Sequence, residues 1–141
     1  MTSDFSTAEP DDAGTLAVSV ESAGEAAIVA VTGEVDALTV GRLREAIDAG
    51  LAQASSPRVV LDLSGVSFLA SSGLAALVEG ATDLGDRGGW LRVVAGSQRA
   101  VVRALEVTGL DDILPNYPSV AAALGGDIGD LGDVGDTLGA P

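Results

Sequence analysis

The sequence contains no cysteine, no histidine and no lysine, and these absences remove much of ordinary enzyme chemistry. They exclude a Ser-His-Asp triad, a histidine or thiolate metal site, a disulfide framework, a P-loop lysine and a Schiff base. Carboxylates, arginines, hydroxyls and the single tyrosine, Tyr117, remain, and no carboxylate pair is placed as a general acid and base. We therefore expect a protein that is not an enzyme and that holds neither a cofactor nor a metal ion.

Long apolar runs are missing as well. The longest are far below the about twenty residues that span a bilayer, and the beginning of the chain lacks the basic start and apolar centre of a signal peptide. The absence of cysteine also suits a reducing compartment. The sequence therefore predicts a soluble, cytoplasmic protein.

Basic residues are scarce, since seven arginines stand against 21 acids and give a formal net charge of −14. Such a charge disfavours nucleic acids and anionic membrane surfaces as partners. Four acids precede residue 15 and four follow residue 124, which leaves 13 acids and a net charge of −6 between them. That charge suits a basic protein partner, and the alternative is a surface of merely solvated carboxylates.

The order of apolar and polar residues predicts an α/β domain over residues 15–124. Alternation over Leu16–Glu21 and an apolar run over Ala27–Thr32, joined by a short turn, predict an antiparallel hairpin. Strands and helices then alternate, which predicts a mixed sheet of four to five strands with an antiparallel N-terminal edge and about four helices. The further predicted elements are a helix from Val40 to Leu51 capped by Thr39, strands at Val59–Leu63, Trp90–Ala95 and Ile113–Leu114, a helix capped by Ser97 and ended by Gly109, and a helix over Ser119–Leu124.

The two ends of the chain differ in composition from this domain. Residues 1–14 are polar and acidic and are expected to be a disordered lead-in. From Gly126 to Thr137 the triplet Gly-Asp-x occurs four times. We interpret residues 125–141 as a flexible acidic tail, and a calcium site is the alternative.

The stretch from Val59 to Glu79 organises the rest of the domain. An apolar run predicts a buried strand over Val59–Leu63, a connector follows over Ser64–Ala70, and Ser71 begins a helix. Its apolar residues lie on one side, and Gly85 is expected to end it in the left-handed conformation. A serine at a helix start is either an ordinary cap or a position where a phosphoryl group is tolerated, because free N–H groups point at it.

Residues Asp62–Leu74, which read Asp-Leu-Ser-Gly-Val-Ser-Phe-Leu-Ala-Ser-Ser-Gly-Leu, resemble the signature of STAS domains, in particular the stand-alone bacterial anti-sigma factor antagonists. In those antagonists an aspartate usually stands at the position of Ala70, and the serine after it is phosphorylated by a partner kinase. The resemblance implies phosphorylation of Ser71, with Ser72 as the alternative acceptor. Gly33–Asp36 is similar to the family's Gly-Glu-Leu-Asp pattern, whose loop contributes to the partner-binding face; the alternative is a turn with solvated acids.

Loops that follow parallel strands gather at one edge of a sheet. The loop after the predicted strand Trp90–Ala95 therefore adds Ser97 and Gln98 to the predicted partner-binding surface. The resemblance implies a protein that binds an anti-sigma factor of the serine-kinase type and is switched off by phosphorylation, with a serine phosphatase as a further partner. One alternative is a constitutive STAS subunit of a signalling or transport complex, and another is a carboxylate-dependent enzyme or nucleotide-binding domain. The predicted partner-binding residues are Glu34, Asp36, Ala70, Ser71, Ser72, Gly73, Leu74, Ser97 and Gln98.

Overall fold

The apolar runs of the sequence form a five-stranded sheet in the computed structural model, which describes residues 16–128 and side chains through residue 125. Each strand except the first is followed by a helix or a helical turn, because the apolar period changes from two to about 3.6 after each strand. The elements are β1 Leu16–Ala23, β2 Ala26–Val35, α1 Val40–Gln53, β3 Arg58–Leu69, α2 Ser71–Asp86, β4 Trp90–Val94, α3 Arg99–Thr108, a 3-10 turn Leu110–Asp112, β5 Asn116–Tyr117 and α4 Val120–Ile128.

The strands lie in the sheet in chain order, and β1 is antiparallel to β2 while the other neighbours are parallel. One face of the sheet packs with α1, α2 and α3 in the main core, which contains Leu61 and Val93. The other face packs with α4 in a smaller core around Val60 and Val94. The predicted α/β architecture, with an antiparallel N-terminal edge, is confirmed.

Strand β3 is longer than the sequence predicted, because Ser64–Leu69 continues the strand where we expected a connector. This half pairs in parallel with the end of β2, where Val35 lies opposite Leu69. The pairing contains two register shifts, and each lets two residues three apart face the main core: first Leu63 and Val66, then Val66 and Leu69. The period of two is lost there, so no local pattern indicates a strand after Leu63.

The last elements also differ from the prediction. Ile113 is exposed and belongs to no strand; the final strand is Asn116–Tyr117, which pairs with the end of β4. Helix α2 ends at Asp86, and Gly88 (φ 87°), not Gly85, adopts the left-handed conformation after it. The expected end of α3 at Gly109 is confirmed, since this residue has φ 76° and follows the helix directly.

The predicted terminal segments fall mostly outside the described residues. Nothing of the lead-in over residues 1–14 is described, nor are residues 129–141, which contain most of the predicted tail. Helix α4 continues to Ile128, beyond the predicted end at Leu124. Of the helices between residues 16 and 128, none combines the length and the hydrophobicity that crossing a bilayer requires.

Candidate functional site

The candidate site lies at the end of the sheet where β2 and β3 finish side by side. Glu34 is opposite Phe68 and Val35 is opposite Leu69 in the parallel pair. One residue further, the Ala70 N–H donates a hydrogen bond of 2.9 Å to the Val35 carbonyl oxygen. This bond brings the loop after β2 next to the start of α2, so Glu34 and Asp36 lie close to Ala70 and Ser71.

The start of α2 is not capped by a serine. The N-cap residue is Ala70, and no side chain forms a cap hydrogen bond. Its carbonyl oxygen accepts hydrogen bonds from the Gly73 N–H (2.9 Å) and the Leu74 N–H (3.1 Å). The N–H groups of Ser71 and Ser72 belong to the first turn, where helix geometry provides no partner within the helix. Of the two alternatives for Ser71, the ordinary cap is therefore wrong, since Ser71 is already the first helical residue.

The two serine hydroxyls have different surroundings. Ser71 is exposed. The Ser72 Oγ is buried and has no hydrogen-bond partner among the described residues. Consecutive helical residues point about 100° apart, so one hydroxyl faces solvent while the next turns towards the sheet.

Gly73 and Leu74 seat α2 against the sheet. A Cβ atom at Gly73 would lie 2.6 Å from Val35 Cγ1 and 2.7 Å from Leu69 Cδ1, so only glycine allows this close approach. Leu74 is buried in the main core. Both residues were predicted to contact a partner, and the structure places both in the interior, where they hold Ser71 in position.

The loop between β2 and α1 is held by a network of hydrogen bonds. Asp36 Oδ1 accepts from the Leu38 N–H (2.9 Å) and the Thr39 N–H (3.1 Å). The Thr39 hydroxyl donates to the Glu34 carbonyl oxygen (2.8 Å) and accepts from the Asp36 N–H (3.0 Å). Thr39 occupies the N-cap position of α1 as predicted, but its side chain binds the loop instead of capping the helix. The Asp36 carboxylate therefore has a structural role, whereas Glu34 is exposed.

Two exposed apolar residues at this end of the sheet were missed by the sequence analysis. Leu38 is 88% exposed, and Phe68 is 51% exposed. In the sequence, Leu38 was one apolar residue of a loop and Phe68 fell in the expected connector. The only sequence signal for Leu38 is that it is a large apolar residue in a loop that otherwise carries acids, and no signal distinguishes Phe68 from the other apolar residues of the connector.

Ser97 and Gln98 lie further along the sheet. Gln98, not Ser97, is the N-cap residue of α3, and its side chain forms no cap bond. Its Nε2 donates to the Ser64 carbonyl oxygen at 3.3 Å. Ser64 lies five residues before Leu69, which corresponds to roughly 16 Å along β3. The predicted cap at Ser97 is wrong, and these two residues occupy a separate part of the same edge.

Within residues 16–128, no group of three or more acidic side chains is arranged to hold a metal ion. The Gly-Asp-x triplets considered as a calcium site extend from Gly126 and lie largely outside the described residues. The chemistry visible at the site is thus one exposed hydroxyl at an uncapped helix start, with an exposed carboxylate on the adjacent strand.

Comparison with known proteins agrees with this geometry. The chain is 38% identical to an anti-sigma factor antagonist from Mycobacterium paratuberculosis, whose crystal structure superposes with a TM-score of 0.71. The match covers 80% of this chain and 94% of the antagonist's chain. It is 32% identical over 116 residues to a Mycobacterium tuberculosis protein provisionally named an anti-anti-sigma factor, covering 82% of this chain and 78% of that protein. It is also 28% identical over 110 residues to the anti-sigma-F factor antagonist RsfA of M. tuberculosis, covering 77% and 85%.

A family profile adds the extent of the similarity. The profile of the STAS domain matches residues 17–123, the part of the chain that forms the sheet and nearly all of its helices. The order of elements, the long central strand and the helix that begins at Ser71 all lie within the matched part. The chain belongs to the STAS domain family.

Proposed function

We propose that the protein is an anti-sigma factor antagonist that binds a kinase-type anti-sigma factor and is switched off when that kinase phosphorylates Ser71. In the unmodified state it would occupy the anti-sigma factor and free the sigma factor. The relatives that bear the name antagonist support the first part. The exposed Ser71 hydroxyl at the uncapped start of α2 is the observation that carries the second.

The surroundings of the two hydroxyls favour Ser71 as the acceptor. A kinase has to reach the oxygen that attacks the γ-phosphorus of ATP, and ADP leaves as the hydroxyl proton is removed. Ser71 is exposed, whereas the Ser72 Oγ is buried. A phosphoryl group on Ser71 would stand beside the free N–H groups and the positive end of the α2 dipole, which favour an anion there. Modification would therefore leave the domain folded.

The added charge is large enough to end binding. A phosphoserine carries about −1.5 to −2 charges at neutral pH. An acidic group of the partner that lies opposite Ser71, at about 4 Å from the phosphate, would cost about 4 kcal/mol per pair of unit charges at an effective dielectric near 20, or roughly a thousandfold in affinity. Screening by solvent and salt at an exposed surface reduces this, so we expect a loss of about tenfold to a thousandfold.

The chain's own residues supply no catalytic group in this scheme. The kinase brings ATP and its magnesium ion, and the antagonist offers a hydroxyl. A serine phosphatase would restore the binding form, and the cycle would run in the cytoplasm, in keeping with a sequence without cysteine. Glu34, exposed near the end of β2, would face a separate, basic part of the partner's surface.

A kinase assay with site mapping tests the proposal. The purified kinase-type anti-sigma factors of the source organism are incubated with the chain and ATP, and any phosphate is located by mass spectrometry. We expect one phosphate, lost in Ser71→Ala and retained in Ser72→Ala. Ser72→Ala is the matched control because the hydroxyl it removes has no hydrogen-bond partner among the described residues. Phosphate on Ser72, or none with any kinase, would contradict the proposed switch.

The alternative function is a constitutive STAS interaction subunit. Ala70 supports it, because a carboxylate that usually precedes the acceptor in these antagonists is absent here. In that case an anti-sigma factor or another partner would bind with equal affinity before and after incubation with kinase and ATP. The same assay, followed by a binding measurement, separates the two functions.

A further inference from the structure

Exposed apolar side chains are few in this domain, and half of the large ones lie at the Ser71 end. Leu38 belongs to the loop after β2, and Phe68 lies opposite Glu34 near the end of β3. Isolated apolar residues on a surface are ordinary, but two at the same end of the sheet as Ser71 suggest a contact surface. Among the side chains described, residues 16–125, the large apolar ones that are exposed are Leu38 (88%), Phe68 (51%), Val107 (75%) and Ile113 (60%).

Leu38 is exposed on a backbone that is held in place. Its N–H donates to Asp36 Oδ1, and the next residue, Thr39, is buried and binds the Glu34 carbonyl oxygen through its hydroxyl. The side chain therefore projects into water from a loop with little freedom. A preorganised residue loses little conformational entropy when it docks, so a rigid apolar side chain contributes more to binding than a mobile one.

The strand ends and the loop that carry Leu38 and Phe68 contain no charged residues other than acids, and the nearest arginine along the chain, Arg42, lies in the first turn of α1. Within residues 33–39 and 68–74, the charged residues are Glu34 and Asp36, both acidic. The Asp36 carboxylate is occupied by the loop, and Glu34 is exposed. A complementary surface would hence combine an apolar pocket with a basic rim.

We infer that Leu38 is an apolar anchor that enters a pocket of the anti-sigma factor, with Phe68 as a second contact and basic groups of the partner facing Glu34. The inference rests on the proposed function and extends it, because it names the binding residues and the chemistry of the partner surface. Neither Leu38 nor Phe68 belongs to the residues predicted from the sequence. Buried apolar anchors surrounded by polar contacts commonly dominate protein interfaces.

Calorimetric titration of purified anti-sigma factors of the source organism tests the anchor. For the factor that binds the unsubstituted chain, Leu38→Ala is expected to raise Kd about 10- to 100-fold, the effect of losing a buried leucine side chain. Phe68→Ala is expected to raise Kd about three- to thirtyfold, because more of this ring is already covered in the free protein. The unfolding midpoint of Leu38→Ala should match that of the unsubstituted chain, since the side chain is exposed.

Ile113→Ala is the matched control. Ile113 is exposed to a similar degree, but it lies three residues before Asn116, which pairs with Val93. Val93 pairs with Leu61 on β3, which is eight residues and about 25 Å from Leu69, so Ile113 is far from the candidate site. The Kd of Ile113→Ala for the anti-sigma factor should therefore stay within about twofold of the value for the unsubstituted chain.

Salt dependence distinguishes the anchor from the charged contacts. An apolar contact is insensitive to ionic strength, so the Leu38→Ala effect should persist at about 0.5 M salt. The Glu34→Gln effect should shrink under the same conditions, because screened charges contribute less. A Leu38→Ala effect that vanished with salt would overturn the apolar role.

The remaining outcomes are also decisive. If the unsubstituted chain binds and Leu38→Ala binds equally well, the anchor is refuted and the proposed function stands. If no anti-sigma factor binds the unsubstituted chain, both fall. Leu38 could instead contact a second copy of this chain, and sedimentation of the chain alone tests this. A dimer that Leu38→Ala abolishes would overturn the assignment of Leu38 to the anti-sigma factor.

Discussion

Replacement of Gly73 by alanine is predicted to destabilise the domain, although alanine is the better helix former. Gly73 lies in the first turn of α2, where a Cβ atom would come within 2.6 Å of Val35 Cγ1 and 2.7 Å of Leu69 Cδ1. Both neighbours are buried, so they cannot swing into solvent. The added methyl group therefore pushes the start of α2 away from the ends of β2 and β3.

The expected loss follows from two opposing terms. Overpacking a well-filled interior by one methyl group costs about 1–3 kcal/mol, and two contacts this short place Gly73→Ala in the upper part of that range, at about 2–3 kcal/mol. Replacing glycine by alanine within a helix contributes up to about 1 kcal/mol in the other direction. The free energy of unfolding of Gly73→Ala should thus fall by about 1–2 kcal/mol, and the unfolding midpoint by about 3–10 °C for a domain of this size.

Gly85→Ala provides the control in the same helix. A Cβ atom at Gly85 meets nothing within 4 Å, and Gly85 is not among the glycines of positive φ. The same substitution should here raise the free energy of unfolding by up to about 1 kcal/mol. Urea and thermal unfolding followed by circular dichroism measure both variants. Shifts of the same sign and size at Gly73 and Gly85 would refute the close approach of α2 to the sheet.

Two further predictions concern a helix and a loop. The Arg92 guanidinium carbon lies 3.9 Å from the Trp90 ring centroid, and the guanidinium donates a 2.7 Å hydrogen bond to the Ala123 carbonyl oxygen. Arg92→Ala should therefore lower the free energy of unfolding by about 1–3 kcal/mol and speed amide exchange in α4, and Arg92→Lys should not restore the planar stacking. Unchanged amide exchange in Arg92→Ala would contradict this prediction. Thr39→Val removes the buried hydroxyl that donates a hydrogen bond to the Glu34 carbonyl oxygen, so the free energy of unfolding should fall by about 1–3 kcal/mol. Urea titration measures this change, and a loss below about 0.5 kcal/mol would argue against that hydrogen bond.

Much of the fold could be predicted because its signals are local. The alternation in Leu16–Glu21 and the short turn after it predicted the β1–β2 hairpin, and Gly109 ended α3 as a left-handed glycine should. The second half of β3 could not be predicted in the same way. Its strand conformation depends on pairing with β2, a partner about thirty residues away, and the register shifts there interrupt the period of two.

The candidate site was predicted in position more than in detail. The stretch around Ser71 stood out by its strand, loop and helix order, and the structure brings it next to Glu34 through the Ala70–Val35 hydrogen bond. The helix begins one residue earlier than a serine cap requires, because Ala70, in extended conformation (ψ 170°), already occupies the N-cap position. The roles of Leu38 and Gly73 were not visible in the sequence, since exposure and close approach are properties of packing.

By itself the sequence determined the α/β class, the antiparallel first edge, the position of the serines and the shortage of groups for catalysis, because these depend on residue types and on periods along the chain. Only the tertiary structure decided which serine hydroxyl faces solvent, how far β3 extends and which apolar side chains stay in water. The physical reason is the same in each case. Burial and strand pairing are set by contacts between segments distant in the chain, and no local pattern records them.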